Sequence, residues 1–329
     1  MKRATFVFGG VRRVGIVHEA DGKLFDLARA AERDGGPDDA FGSMLSLIDS
    51  GDDGLERAEL LFLRRGREED LSVEMSSARL LAPVPEPRQM RDGMSFPIHI
   101  LQSQRGRTND SAKPTGDTRD RRLLDREPLT GVPEVYQRQP IYYFTNRFSV
   151  QGHEATVYWP DYSQVMDYEL EFGIFTRRTA ANIAAAQAGR HIFGFTIFND
   201  FSARDAQKLE MEGRLGPMKG KSFDGGNVLG PWIVTPDEIG DPYDLRVKVR
   251  VNGATRASEK TKGMLFSFEE IIAYASRNET LVAGEFIGSG TVGNCCGLET
   301  GRYLDHGDVV ELEVQKIGVL RNKVERRTE

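Results

Sequence analysis

The chain has 329 residues, 39% of them hydrophobic and 29% charged, with both classes mixed along its length, as in a folded globular protein with a sizeable core. Its formal net charge of −6 offers no global positive field to phosphate backbones, which excludes nucleic acid as the expected partner. No apolar run reaches the roughly 20 residues of a membrane helix, and the start MKRATFVFGGVRR lacks a signal peptide's long apolar stretch, so no membrane association and a cytoplasmic location are expected.

Residues 1 to about 82 read as short strands (ATFVF, VGIVHE) followed by helical patterns (DAFGSMLSLIDS, LERAELLFLRR), a small α+β domain without evident chemistry. The Pro-rich APVPEPRQM then marks a linker, and residues 83–329 form a second, β-rich domain. Residues 102–139 are polar, charged and proline-bearing with little periodicity, which predicts an active-site lid or a disordered excursion. DYELEFGIF, HIFGFTIFND, DLRVKVRVNG and DVVELEVQKIG read as strands, FSARDAQKLE as a helix, and SFEEIIAYAS as a helix opened by a serine cap. The adjacent Cys295 and Cys296 cannot staple distant segments and read as small buried apolar side chains in a reducing compartment.

In DYELEFGIF the strand period of two sends Glu169 and Glu171 to one face and Leu170 and Phe172 to the other. Two converging carboxylates repel, and a hard divalent cation is the simplest compensation, although an isolated E-x-E is more often a solvated strand face. Asp200 closes the next apolar strand, where it either completes an acidic site or caps the helix that follows. Arg204 and Gln207 fall one and nearly two turns beyond Asp200, so all three can lie along one helix face.

The strings DYELEF, FGFTIFNDFSARDAQ and GKSFDGGNVLGPWIVTPDEI, in that order and spacing, resemble the fumarylacetoacetate hydrolase family over residues 85 to 325. That resemblance implies a mixed β-roll catalytic domain, a homodimer, and a divalent cation held by Glu169, Glu171 and Asp200, with Mg²⁺ expected and Mn²⁺ or Ca²⁺ as alternatives. It further implies Asp92, seven residues before His99, as a fourth ligand, although Gly93 and Pro97 depart from the family's wording there and weaken the expected helix.

By the same resemblance His99 is the general base, paired with Glu299, and Lys221 of GKSF stabilises an enolate. Arg204 and Gln207 take the substrate's carboxylate and carbonyl oxygens, while Tyr143 and Thr291 line the pocket. The implied reaction is hydrolysis of the C–C bond of an acylpyruvate or 1,3-diketo acid such as fumarylacetoacetate. A 2-oxo acid decarboxylase, hydratase or isomerase of the same family, and a catalytically silent binding member, are the alternative readings.

Overall fold

The computed structural model describes residues 1–108 and 131–327. The centre of the 102–139 segment lies outside the described residues, but its two ends are helical: Pro97–Thr108 runs into it and Glu134–Arg138 leaves it. Pro97 therefore opens a helix rather than weakening one, since its missing N–H falls where no intrahelical partner exists, and Gly93 belongs to the preceding strand Met90–Gly93.

Two runs that are apolar on both faces, Leu170–Thr176 and Ile192–Asp200, are buried along their whole length and pair antiparallel at the centre of a 12-stranded sheet among the described residues. Across this sheet lie Ser72–Glu74, Lys23–Asp26, Val11–His18, Lys2–Phe8, Asn227–Val234, Ile192–Asp200, Leu170–Thr176, Phe286–Gly288, Met90–Gly93 and Tyr142–Phe144. The path is open and mostly antiparallel, with a parallel pairing of Phe286–Gly288 on Met90–Gly93. The N-terminal strands extend the same sheet, because Lys2 and Arg3 pair with Val234 and Ile233.

Strand alternation gives the sheet two differently covered faces. Phe172 and Phe195 stack edge-on against Phe268 of the Phe268–Ala275 helix, which starts with a Ser267–Glu270 capping box. Phe175 and Phe198 meet Phe286 on the opposite face, in a core shared with Phe41, Leu47 and Ile48 of the N-terminal segment. A second sheet of five strands orders Ala254–Lys260, Arg246–Val251, Val309–Val314, Gly318–Arg326 and Thr156–Trp159. The architecture is thus α+β and strand-rich. Cys295 and Cys296 are fully buried free thiols.

Candidate functional site

Glu171 and Asp200 share the Phe175–Phe198 face by strand parity, and the register sets Glu171 opposite Phe198, two residues before Asp200. Asp92 arrives from the neighbouring parallel pair, level with Gly288. One oxygen from each of Asp92, Glu171 and Asp200 lies within 4.8 Å of the others. None of these carboxylates is solvated: Asp92 is 3% exposed, Glu171 1% and Asp200 0%. Asp200 does not cap the Arg204–Glu212 helix, whose first turn takes no side-chain hydrogen bond from its Ala203 cap.

Glu169 lies at the same end of the sheet, 5% exposed, with both oxygens engaged by cations. Its Oε1 accepts from Arg204 Nη2 at 2.7 Å and its Oε2 from Lys221 Nζ at 2.6 Å. Lys221 also donates to Asp200 Oδ2 at 2.6 Å, and the Tyr143 hydroxyl donates to that oxygen at 2.9 Å. Glu171 accepts from the Gly290 N–H at 2.9 Å and the Thr291 hydroxyl at 3.3 Å. Asp92 Oδ1 and Asp200 Oδ1 are buried with no hydrogen-bond partner among the described residues.

The electrostatics divide these acids. Burial, and then the Asp200 charge, push Asp92 well above the ordinary carboxylate range, and burial and Asp92 do the same to Glu171. Burial also raises Asp200, offset in part by Lys221. Burial acts on Glu169 in the same direction, but Lys221 and then Arg204 outweigh it and hold Glu169 below that range. The Lys221 ammonium is opposed by burial, yet Asp200 and Glu169 raise it above an ordinary lysine. Three clustered acids, two of them with a partnerless buried oxygen, and a shortage of positive charge fit a hard divalent cation with oxygen ligands.

His99 sits on the first turn of the Pro97–Thr108 helix, its Nδ1 2.9 Å from Glu299 Oε1, with both side chains buried. Glu299 belongs to the short Gly297–Thr300 helix, where its Oε2 also accepts from the Cys296 N–H at 3.0 Å. Gln102, one turn beyond His99, donates to Asn294 Oδ1 at 2.7 Å and ties the same two segments together. The helix carrying His99 is thereby fixed to the Gly-rich segment that carries Asn294 and Glu299.

The sequence profile of the fumarylacetoacetate (FAA) hydrolase C-terminal region matches residues 124–325, more than half the chain. The chain belongs to the fumarylacetoacetate hydrolase family. It is similar to the oxaloacetate tautomerase YisK of Bacillus subtilis, 29% identical over 98% of this chain and 100% of that protein. The human mitochondrial oxaloacetate tautomerase FAHD2A is 35% identical over 57% of this chain and 59% of its own length. Among solved structures, the fumarylacetoacetate hydrolase of Exiguobacterium antarcticum superposes with a TM-score of 0.72 at 29% identity, covering 99% of this chain and 100% of that one. The maleylpyruvate hydrolase of Sphingobium sp. SYK-6, solved with manganese(II) and pyruvate, superposes at 0.70 over 100% of both chains; at 18% identity that likeness speaks for the fold.

The structure brings most of the sequence-derived residues into one neighbourhood, with some contacts other than those expected. Asp92, Glu171 and Asp200 cluster, whereas Glu169 is paired with Lys221 and Arg204. Arg204 and Gln207 share a helix face, whereas Asp200 ends the preceding strand and does not join it, and the Arg204 fork is occupied, by Asp167, Glu169 and Gln207 Oε1 at 2.9 Å. Tyr143 and Thr291 contact the acids themselves. Asp167 was not singled out from the sequence. It stands two residues before Glu169, and only the alternation that groups Asp167, Glu169 and Glu171 on one side hinted at it.

Proposed function

We propose that this chain is a divalent-cation-dependent enzyme that moves a proton on an enolisable 2-oxo acid, with keto–enol tautomerisation of a 2-oxo dicarboxylic acid such as oxaloacetate as its reaction. The observation that carries the reading is the buried His99–Glu299 pair, which acts electrostatically on Glu169 and shares with it the neighbour Cys296, Glu169 being two residues along the chain from Glu171 of the Asp92, Glu171 and Asp200 cluster. The similarity to oxaloacetate tautomerases, one along nearly the whole chain, supports that reaction over the hydrolysis expected first.

Asp92, Glu171 and Asp200 would hold the cation, and Glu169 would join them only by releasing Lys221 or Arg204. When bound, the cation supplies Lewis-acid polarisation of the 2-oxo group, and Mg²⁺ is the ion proposed, with Mn²⁺ or Ca²⁺ able to serve. Glu299 fixes the His99 ring through Nδ1, which leaves Nε2 to exchange the proton at the carbon next to the 2-oxo group. The Lys221 ammonium is held in place by two carboxylates and offers a fixed positive charge toward enolate oxygen. Buried side chains around these groups keep bulk water from competing for the proton. A homodimer belongs to the same reading.

Hydrolysis of an acylpyruvate is the second reading, since an oriented histidine can equally take a proton from water, and the chain is 34% identical over 193 residues to a 2,4-didehydro-3-deoxy-L-rhamnonate hydrolase of Sphingomonas. The two separate in one assay. Purified protein with Mg²⁺ or Mn²⁺ is mixed with enol oxaloacetate and, separately, with acylpyruvates, and ultraviolet decay of the enol is followed beside NMR of the products. Faster enol–keto exchange without new products supports the tautomerase; two carboxylic acids from an acylpyruvate support the hydrolase, and pyruvate with carbon dioxide from oxaloacetate a decarboxylase. No acceleration of any of them with either metal overturns the reading.

A further inference from the structure

Asp167 is fully buried in the two-residue strand Met166–Asp167, which pairs with Ser202–Ala203 directly before the Arg204 helix. Its Oδ1 accepts from the Gly297 N–H at 2.7 Å, and its Oδ2 from the Leu298 N–H at 2.8 Å. That second oxygen also accepts from Arg204 Nε at 2.7 Å, and Arg204 continues through Nη2 to Glu169. Leu298 immediately precedes Glu299, the partner of His99.

We propose that Asp167 is a positioning residue that holds Glu299 in register with His99 and joins this pair to the Arg204–Glu169 side of the site. The Gly297–Thr300 helix is a single turn, too short to be held by its own hydrogen bonds, and two of its first amides end on one carboxylate. Rotation or retreat of that turn breaks both bonds and displaces Glu299. The approach is also close: a Cβ on Gly297 would overlap Asp167 Oδ1, so the turn packs on the carboxylate with no room for a side chain. Arg204, held between Asp167 and Glu169, fixes the carboxylate from the other side, so the base and the Arg204–Glu169 pair are set by one shared group. Asp167 needs no contact with substrate for this role.

The activity arm of the test rests on the proposed acid–base reaction; a spectroscopic arm does not. In the full-length protein with Mg²⁺, Asp167→Asn is expected to lower kcat roughly 100-fold, the cost of misplacing a catalytic group by about 1 Å, with KM changed little. The double variant with Glu299→Gln is expected to be no slower than Glu299→Gln alone, because the two residues act as one unit. In ¹⁵N NMR of the histidine rings, Asp167→Asn is expected to move the His99 Nδ1 signal toward its position in Glu299→Gln. A wild-type His99 signal in Asp167→Asn, or multiplicative losses in the double variant, overturns the proposal. If Asp167→Asn does not fold, Gly297→Ala, whose Cβ would overlap Asp167 Oδ1 and meet the Arg302 carbonyl at 2.7 Å, displaces the same turn from the retained carboxylate; an unmoved His99 signal there also overturns the proposal. A wild-type enzyme without activity would end the functional reading, while the His99 signal would still decide the positioning.

Discussion

Lys221 Nζ lies 2.6 Å from Glu169 Oε2 and 2.6 Å from Asp200 Oδ2, so one buried ammonium bridges a low-pKa and a raised carboxylate. Removing it strands negative charge away from water. Lys221→Met is expected to destabilise the metal-free protein by about 3–5 kcal/mol, the usual cost of breaking a buried pair from one side. A bound divalent cation should then restore more stability in the variant than it adds to the wild type. Urea unfolding in EDTA and in Mn²⁺ measures both, and a variant as stable as wild type in EDTA would contradict the bridging role.

The raised Asp92 and Glu171 dictate a pH dependence. A carboxyl whose folded pKa exceeds its unfolded value binds more protons when folded, so its contribution to stability is complete below the unfolded value near 4 and is lost as pH rises through the folded value. Metal-free protein should therefore lose stability as pH climbs above about 4, through this pair. The cation competes with the same protons, so its affinity should rise over that range and its binding should release protons. Calorimetric titrations with Mn²⁺ in buffers of different ionisation enthalpy read the release directly; no net release at neutral pH would show that the acids are already ionised.

His99→Ala should separate proton transfer from metal binding. His99 is bonded to Glu299 and is absent from the Asp92, Glu171 and Asp200 cluster. The variant is expected to lose roughly 10²–10⁴ in kcat, the range for deleting a general acid–base group, with metal affinity retained. Glu299→Gln should cost less, since it removes the orienting charge and leaves the ring. An unchanged rate in His99→Ala would remove His99 from the mechanism.

Which parts of this site were legible in the sequence follows from how local their signals are. Glu169, Glu171 and Asp200 stood out because strand alternation and the end of an apolar run are short-range patterns, and Arg204–Gln207 because a helix brings residues three apart together. Asp92 joins through a parallel pairing with a strand nearly two hundred residues away, which no local pattern encodes, and only the resemblance singled it out. The Pro97–Thr108 helix was partly missed because the side it buries carries His99, Gln102 and Ser103, polar residues that erase the apolar period. Asp167 was missed for the complementary reason, since its partners Gly297 and Leu298 are 130 and 131 residues distant and are backbone groups.

Gly288 offers a probe of the acid cluster that alters no charge. A Cβ built there would lie 2.5 Å from Asp92 Oδ1 and 3.2 Å from Glu171 Oε2, with no positive φ to strain the backbone. The nearest neighbours are therefore the carboxylates themselves, and Gly288→Ala must push Asp92 away from Glu171. Displacing a proposed ligand in this manner should weaken metal binding about 10- to 100-fold, the range found for disturbing the groups that orient metal ligands. Gly173, which pairs with Gly288 in the same sheet, is the control, because the atoms nearest its added Cβ are the Phe286 ring and the Ile287 carbonyl rather than a carboxylate. Gly173→Ala should lower stability by about 1–3 kcal/mol through overpacking and leave the Mn²⁺ affinity of the folded fraction near wild type. Equal loss of metal affinity in both variants would mean that the sheet, rather than the carboxylate positions, had been disturbed.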